Sequence, residues 1–203
     1  MILYSDNAYL SPYAMSVFVA LTEKALPFEL RALNLGAGEH QQTGFAQTSL
    51  TRRVPTLVDG DFALAESTAI TEYLDEAYPG VALYPKDLRQ RAQARQVQAW
   101  IRSDLMPVRS ERSTEVVFLH KAVAPLTEAG HAAADKLVNA ASALVSGGDA
   151  NLFGDWCLAD TDLALMLLRL INANDPVPDK LRAYALRQWA RPTVQAWVAL
   201  GQK

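Results

Sequence analysis

Apolar residues recur along this chain with two different periods, and the change from one to the other divides it into two parts. In the first part, short apolar runs alternate with stretches of helical spacing. Residues 1–4 read as a strand and residues 28–33 as a second; between them, residues 11–24 place Val17, Ala20 and Leu21 on one helical face. A strand-helix-strand crossover of that length predicts a parallel pair. Residues 35–51 are polar and carry Gly36, Gly38 and Gly44, so an irregular loop with at most a short helix is expected there. The stretch RVPTLVDGDFALAES, residues 53–67, then holds two β-rich runs, 54–58 and 62–65, around Asp59-Gly60, which is expected to close a tight hairpin. Pro55 opens the first run, where its missing N–H costs least. Beyond it, Ala69, Ile70, Tyr73, Leu74 and Ala77 recur at helical spacing, so Ser67 sits at a helix start, as N-cap or first-turn residue.

The pattern up to residue 78 is a βαβ-ββα unit. Pro79-Gly80 and Tyr84-Pro85 punctuate a linker over residues 79–87, and residues 88–203 read as an all-helical domain. Residues 88–105 carry Val97, Trp100, Ile101 and Leu105 on one face, and Met106-Pro107 bends or ends that helix. Residues 128–145 stop at Gly147-Gly148. Residues 160–171 are apolar almost all round, the signature of a buried central helix. A further helix covers 179–189, and Pro192 starts a last short one.

Composition narrows the classes. With 203 residues, 50% hydrophobic and 20% charged, the chain can bury real cores. A net charge of −3 gives no support to nucleic-acid or anionic-membrane binding. The single cysteine excludes an internal disulfide framework and fits a reducing compartment. No basic leader precedes the first strand, and the longest apolar run, 163–171, is broken by Arg169 and too short for a bilayer. A cytoplasmic location is therefore expected. His40, His120 and His131 are scattered, so no metal site is expected, and Gly36-x-Gly38 lacks the rest of a dinucleotide fingerprint.

Candidate chemistry gathers at three points. A helix N-terminus bearing the Ser67 hydroxyl favours a carboxylate, and Glu66 beside it favours an ammonium; together they suit an α-amino-acid head group, although a capped surface helix after an acidic residue has the same spacing. Ser11, between the first strand and first helix, is either a plain N-cap or a hydrogen-bond donor to an anion. His40 and Arg53, bracketing the polar loop, are either solvated or bind a second carboxylate. The basic residues from 89 to 102 read as a solvated helix face, and Cys157 as a helix-start residue rather than a nucleophile.

In combination, Ser11, the GEH at residues 38–40, the RVP at 53–55, the DGDFALAES hairpin and the helical second half resemble the glutathione S-transferase superfamily over essentially the whole chain. The spacing is similar to its serine-type classes, theta and tau especially, and QAWIRSDLMP and NLFGDWCLADTDLAL resemble a bacterial YfcF-like subgroup. The resemblance implies a thioredoxin-like N-terminal domain that binds glutathione and a helical domain with the second-substrate pocket, in a homodimer. It implies a cis Val54-Pro55 bond, with the Val54 backbone pairing with the cysteinyl backbone of glutathione. Glu66 and Ser67 would hold the γ-glutamyl end, His40 and Arg53 would face the glycyl carboxylate, and Ser11 would stabilise the thiolate. Tyr4 and Tyr9 are the alternative donors, and residues from Trp100 through Arg112 to Val117 are expected to line the second pocket. Asp104 is placed to reach across a dimer interface. Cys157 stands where the family has Ser or Thr, and Asp160 keeps the acidic half of that helix-start box. The implied activity is glutathione transfer to a small electrophile or peroxide; the alternatives are a non-catalytic binding module and a glutathione-dependent isomerase.

Overall fold

Strand β1 (Ile2–Asp6) runs through the middle of a mixed sheet of order β2-β1-β3-β4, in a computed structural model that describes residues 1–145 and 150–202. It pairs in parallel with β2 (Glu29–Leu33) and antiparallel with β3 (Thr56–Asp59), and β3 pairs antiparallel with β4 (Phe62–Ala65). The crossover from β1 to β2 is helix α1 (Pro12–Glu23); a 3-10 turn (Glu39–Gln41) and α2 (Thr43–Thr48) fill the polar loop; α3 (Ser67–Ala77) follows β4. Helices α1 and α3 pack together, and Met15, Val17, Ala20 and Leu21 join Leu3, Leu57, Ile70 and Leu74 in a fully buried core. This is the α/β arrangement expected from the sequence.

Two local expectations shift by a residue or two. The third strand begins at Thr56, because Pro55 has no N–H to offer a ladder, and the Val54-Pro55 bond before it is cis. Asp59 pairs with Phe62, so the turn is Gly60-Asp61 rather than Asp59-Gly60, with Gly60 at φ +63° as the first turn residue. Asp59 serves elsewhere: its carboxylate accepts from Tyr73 (2.7 Å) and from Tyr78, and the Tyr78 hydroxyl holds it below the usual carboxylate range.

Residues 84–192 form a second unit, built from α4 (Leu88–Ser103), α5 (Met106–Glu111), α6 (Thr114–Phe118), α7 (Glu128–Leu144), α8 (Leu158–Ile171) and α9 (Asp179–Trp189). Every residue of α8 is buried, including three charged ones, and each of those is answered. Asp162 accepts from Gln98 Nε2 and Arg102 NH2, both at 2.7 Å, and Arg169 donates to the Arg112 carbonyl at 2.6 Å. The Asp160 carboxylate accepts from the Leu152 N–H, the Cys157 N–H and the Tyr184 hydroxyl at 2.8–3.0 Å. An unanswered charge in such a place would cost several kcal/mol, which is why a nearly all-apolar helix carries charges only where partners converge. The Gly147-Gly148 stop lies outside the described residues.

Helix α10 (Pro192–Val198), expected in the helical domain, groups from Thr193 onward with the first unit, residues 1–83. Trp197, fully buried, meets Phe18 at 5.4 Å and Tyr9 at 5.6 Å between ring centres, and Thr193 donates to Glu23 at 2.6 Å.

Helix α7 contains a glycine with a packing reason. A methyl group at Gly130 would lie 2.5 Å from Glu111 Oε2 and 2.9 Å from Leu126 Cδ2. Glu111 is pinned, since its carboxylate accepts from the Thr127 N–H (2.8 Å) and hydroxyl (2.7 Å). Gly130→Ala is expected to destabilise the protein by about 1–3 kcal/mol, although alanine gains roughly 1 kcal/mol over glycine inside a helix. Urea unfolding followed by tryptophan fluorescence reads the sign, and a stabilised variant would mean that the Glu111 clamp yields freely.

Candidate active site

Strands β1 and β4 both run against β3, so their C-terminal ends lie at the edge where β3 begins, along the line Tyr4, Thr56, Ala65. Three connections meet that edge: the loop from β1 to α1, the cis-proline entry to β3, and the junction of β4 with α3. Ligands of open α/β sheets commonly bind outside the carboxyl ends of strands, where helix N-termini also point.

Ser11 is the N-cap of α1, and its oxygen accepts the Ala14 N–H at 3.2 Å. An oxygen that accepts in this way still has its own hydrogen to donate. The turn that carries Ser11 is held by Asp6, which the sequence reading missed. Asp6 accepts from the Leu10 N–H (2.7 Å), the Ser11 N–H (3.1 Å) and the Ser5 hydroxyl (3.2 Å), and it is 7% exposed. Of the alternative donors, the Tyr4 hydroxyl accepts from Arg31 at 3.3 Å, and the Tyr9 ring packs on Trp197.

At the second connection, Val54 makes no backbone hydrogen bond among the described residues, so its N–H and C=O are open at the sheet edge. The preceding loop is held from behind: Thr56 Oγ1, fully buried, lies 2.9 Å from the Arg53 carbonyl and 2.8 Å from Ser49 Oγ. The Arg53 guanidinium is exposed and has no partner among the described residues. His40 lies in the 3-10 turn, and its Nδ1 is buried without a partner.

At the third connection, Glu66 occupies the N-cap position of α3 at φ +71°, with no side-chain cap bond, and Ser67 is the first helical residue. A left-handed backbone at a non-glycine costs on the order of 1–3 kcal/mol and persists where the surroundings dictate it, often at functional sites. The first N–H groups of α3 are left without a side-chain cap, and the Ser67 hydroxyl, in a residue 6% exposed, has no partner among the described residues. Open donors beside a carboxylate are the arrangement expected for a zwitterionic head group.

Other expected positions are otherwise employed. Arg112, expected to line a second pocket, is 2% exposed and donates two hydrogen bonds to Asp175, at 2.6 and 3.0 Å. Val116 and Val117 are core residues. Asp104 is paired with Lys136 and also accepts from the Trp100 indole, and Lys136 first among these holds its carboxyl at about 2. The basic face of α4 is partly engaged, Arg91 with the Pro85 carbonyl and Arg102 with Asp162. Cys157 is 1% exposed at the head of α8, where it completes a reciprocal cap with Asp160, and burial pushes its thiol up. Among the described residues, no group of three or more His, Cys, Asp or Glu side chains could hold a metal ion, and no helix is long and apolar enough to cross a membrane.

Known proteins resemble the chain in both of its halves. Residues 7–82 match the family model described as glutathione S-transferase, N-terminal domain, and residues 87–203 the one described as glutathione S-transferase, C-terminal domain. Human glutathione S-transferase theta-1 is 37% identical over 125 residues, 61% of this chain and 49% of that protein. Glutathione S-transferase 1 of Dianthus caryophyllus is 39% identical over 108 residues, 53% of this chain and 48% of that protein. The chain therefore spans about half the length of these curated relatives. A probable maleylacetoacetate isomerase of Vibrio cholerae is 36% identical over 104 residues, 50% of this chain and 48% of that protein. A crystal structure of a glutathione transferase homologue from Burkholderia, with bound glutathione, superposes with a TM-score of 0.81 at 46% identity, covering 99% of this chain and 97% of that one.

Proposed function

The chain belongs to the glutathione S-transferase family, and on that premise we propose that it is a glutathione transferase that holds the bound thiol as a thiolate through the Ser11 hydroxyl. The observation that carries this reading is the state of Ser11, an N-cap whose oxygen takes the Ala14 N–H and whose hydrogen is left to donate outward. The Burkholderia homologue, 46% identical along almost the whole chain, supports glutathione as the co-substrate.

In this reading the γ-glutamyl carboxylate of glutathione takes the open N–H groups of α3 and the Ser67 hydroxyl, and its ammonium faces Glu66. The cysteinyl backbone pairs with the open N–H and C=O of Val54 as an added strand. The glycyl carboxylate lies toward Arg53 and the unpartnered His40 Nδ1. Lowering a thiol pKa by about two units from about 8.5 requires about 2.7 kcal/mol of preference for the thiolate. One hydroxyl bond to a charged group supplies about 1.5–3 kcal/mol, and a helix N-terminus adds about 0.3–1. Ser11 and α1 suffice without a general base. The thiolate then attacks a small electrophile or a peroxide, with the enzyme acting as a cytoplasmic homodimer.

The test is titration of enzyme-bound glutathione by its ultraviolet thiolate absorbance. The bound thiol is expected to ionise about two units below the free one. Retention on immobilised glutathione with an unshifted thiol and no turnover of any electrophile or peroxide would make the protein a binding module instead. The likeness to the Vibrio cholerae protein favours a second reading, glutathione-assisted isomerisation, which turnover of a cis-unsaturated diketo acid without net consumption of glutathione would establish.

A further inference from the structure

We infer that Asp6 is the positioning residue for Ser11, and this inference rests on the reading of Ser11 as the thiolate donor. Apart from the Tyr9 ring, which packs on Trp197, the loop from β1 to α1 is held mainly through Asp6. Asn7 and Ala8 are exposed, Tyr9 sits at φ +54°, and the main-chain bonds within the loop region are Tyr9 N–H to Asp6 O at 3.2 Å and Asn7 N–H to Leu33 O at 2.9 Å. Across this loop the Asp6 carboxylate takes the N–H groups of Leu10 and Ser11, one on each oxygen, and is steadied from its own strand by the Ser5 hydroxyl. Ser5 is fully buried and Asp6 nearly so, so this anchor moves with the sheet and not with the loop. The consequence for Ser11 is specific. Its N–H is turned toward Asp6, its hydroxyl oxygen takes the Ala14 N–H and its carbonyl the Met15 N–H, so the hydroxyl hydrogen is the one donor of the residue left uncommitted.

Charge and position act in opposite directions here, which makes the inference testable. A carboxylate near the bound sulfur, taken alone, disfavours a thiolate, so deleting its charge would lower the thiol pKa. Loosening Ser11 would raise it. Asparagine at position 6 offers one accepting oxygen where the carboxylate offers two, so one of the Leu10 and Ser11 N–H groups loses its partner.

The experiment is a double-mutant cycle on the pKa of enzyme-bound glutathione, with Asp6→Asn, Ser11→Ala and both together, alongside kcat and the KM for glutathione. Asp6→Asn is expected to raise the bound thiol by about one unit and to lower kcat about two- to threefold below neutral pH, once the greater nucleophilicity of the more basic thiolate is counted, with KM changed less than about twofold. In the Ser11→Ala background the same change is expected to leave the thiol where it is, or to lower it. A fall in the thiol pKa with Ser11 present, no change, or an equal rise in both backgrounds overturns the role of Asp6. If Asp6→Asn fails to fold, Asp6→Glu, which keeps the charge and shifts both oxygens by one methylene, carries the same cycle with the same expectations. Should Ser11→Ala raise the thiol while Asp6 variants do not, only the positioning role falls; should Ser11→Ala itself leave the thiol unmoved, both readings fall together.

Discussion

Ser11→Ala is expected to lower turnover about five- to tenfold at pH 6.5 and to leave it nearly unchanged near pH 7.5, because the two consequences of losing the hydroxyl oppose each other. With a bound thiol near 6.5 in the wild type and near 8.5 in the variant, the thiolate fraction at pH 6.5 falls from about one half to about one hundredth. That alone is about fiftyfold. The thiolate that remains is more basic and more nucleophilic, and with a Brønsted coefficient of about 0.4–0.5 it recovers a factor of about 6–10. The population term wins at acid pH and fades as the pH approaches the variant's own pKa. Glutathione affinity should change less than about threefold, since Ser11 touches only sulfur in this reading and the anchors at Val54, Glu66 and Ser67 remain. Steady-state rates across pH 6–9 with saturating glutathione decide the matter. A rate loss independent of pH would point to a role other than thiol ionisation, and an unchanged rate at pH 6.5 would remove Ser11 from the chemistry.

The fold was legible wherever burial imposes a period. The strands and long helices were found within a few residues because each presents one face, or in α8 all faces, to a core. The short helices α5 and α6 were not found. Six and five residues cannot display a period, and the break before α5 is a left-handed Leu105 that nothing in its side chain announces. The last helix was legible as a helix, but not where it packs. Trp197 reads as an apolar residue on a short amphipathic run, and only the folded chain shows that it fills the space beside Phe18 and Tyr9.

The candidate site divides the same way. Ser11 and Glu66-Ser67 stand out because helix-start chemistry is local and leaves its donors and acceptors in a fixed order along the sequence. Asp6 was missed because its partners are main-chain N–H groups four and five residues on, which every residue but proline carries. Arg112 was misread for the converse reason. A cation among apolar residues suits a substrate pocket and a buried ion pair alike, and its partner Asp175 is 63 residues away. The same distance effect hid the use of Arg102, which closes on Asp162.

Asp160→Ala is expected to be the most destabilising single change in the helical unit, at about 3–5 kcal/mol. The carboxylate closes the start of the fully buried α8. Removing it strands the N–H groups of Leu152 and Cys157 and the Tyr184 hydroxyl, each at a cost of at least about 1 kcal/mol when desolvated. Against a typical total of about 5–15 kcal/mol, the loss is a fifth or more of the stability. With a slope of about 1–3 kcal/mol per molar urea, the unfolding midpoint should fall by more than about 1 M. A pH dependence separates the carboxylate from its shape. Burial raises the Asp160 carboxyl above its unfolded value, so its titration contributes stability that is fully present below that unfolded value, near 3.9, and is lost as pH rises through the native one. The advantage of wild type over Asp160→Asn, which keeps the shape but does not titrate, is therefore expected to shrink as the pH is raised from about 4 toward neutrality. A midpoint unmoved in Asp160→Ala would mean that water replaces the lost acceptors, and an advantage over Asp160→Asn that grows with pH would mean that hydrogen bonding to the ionised form outweighs its burial.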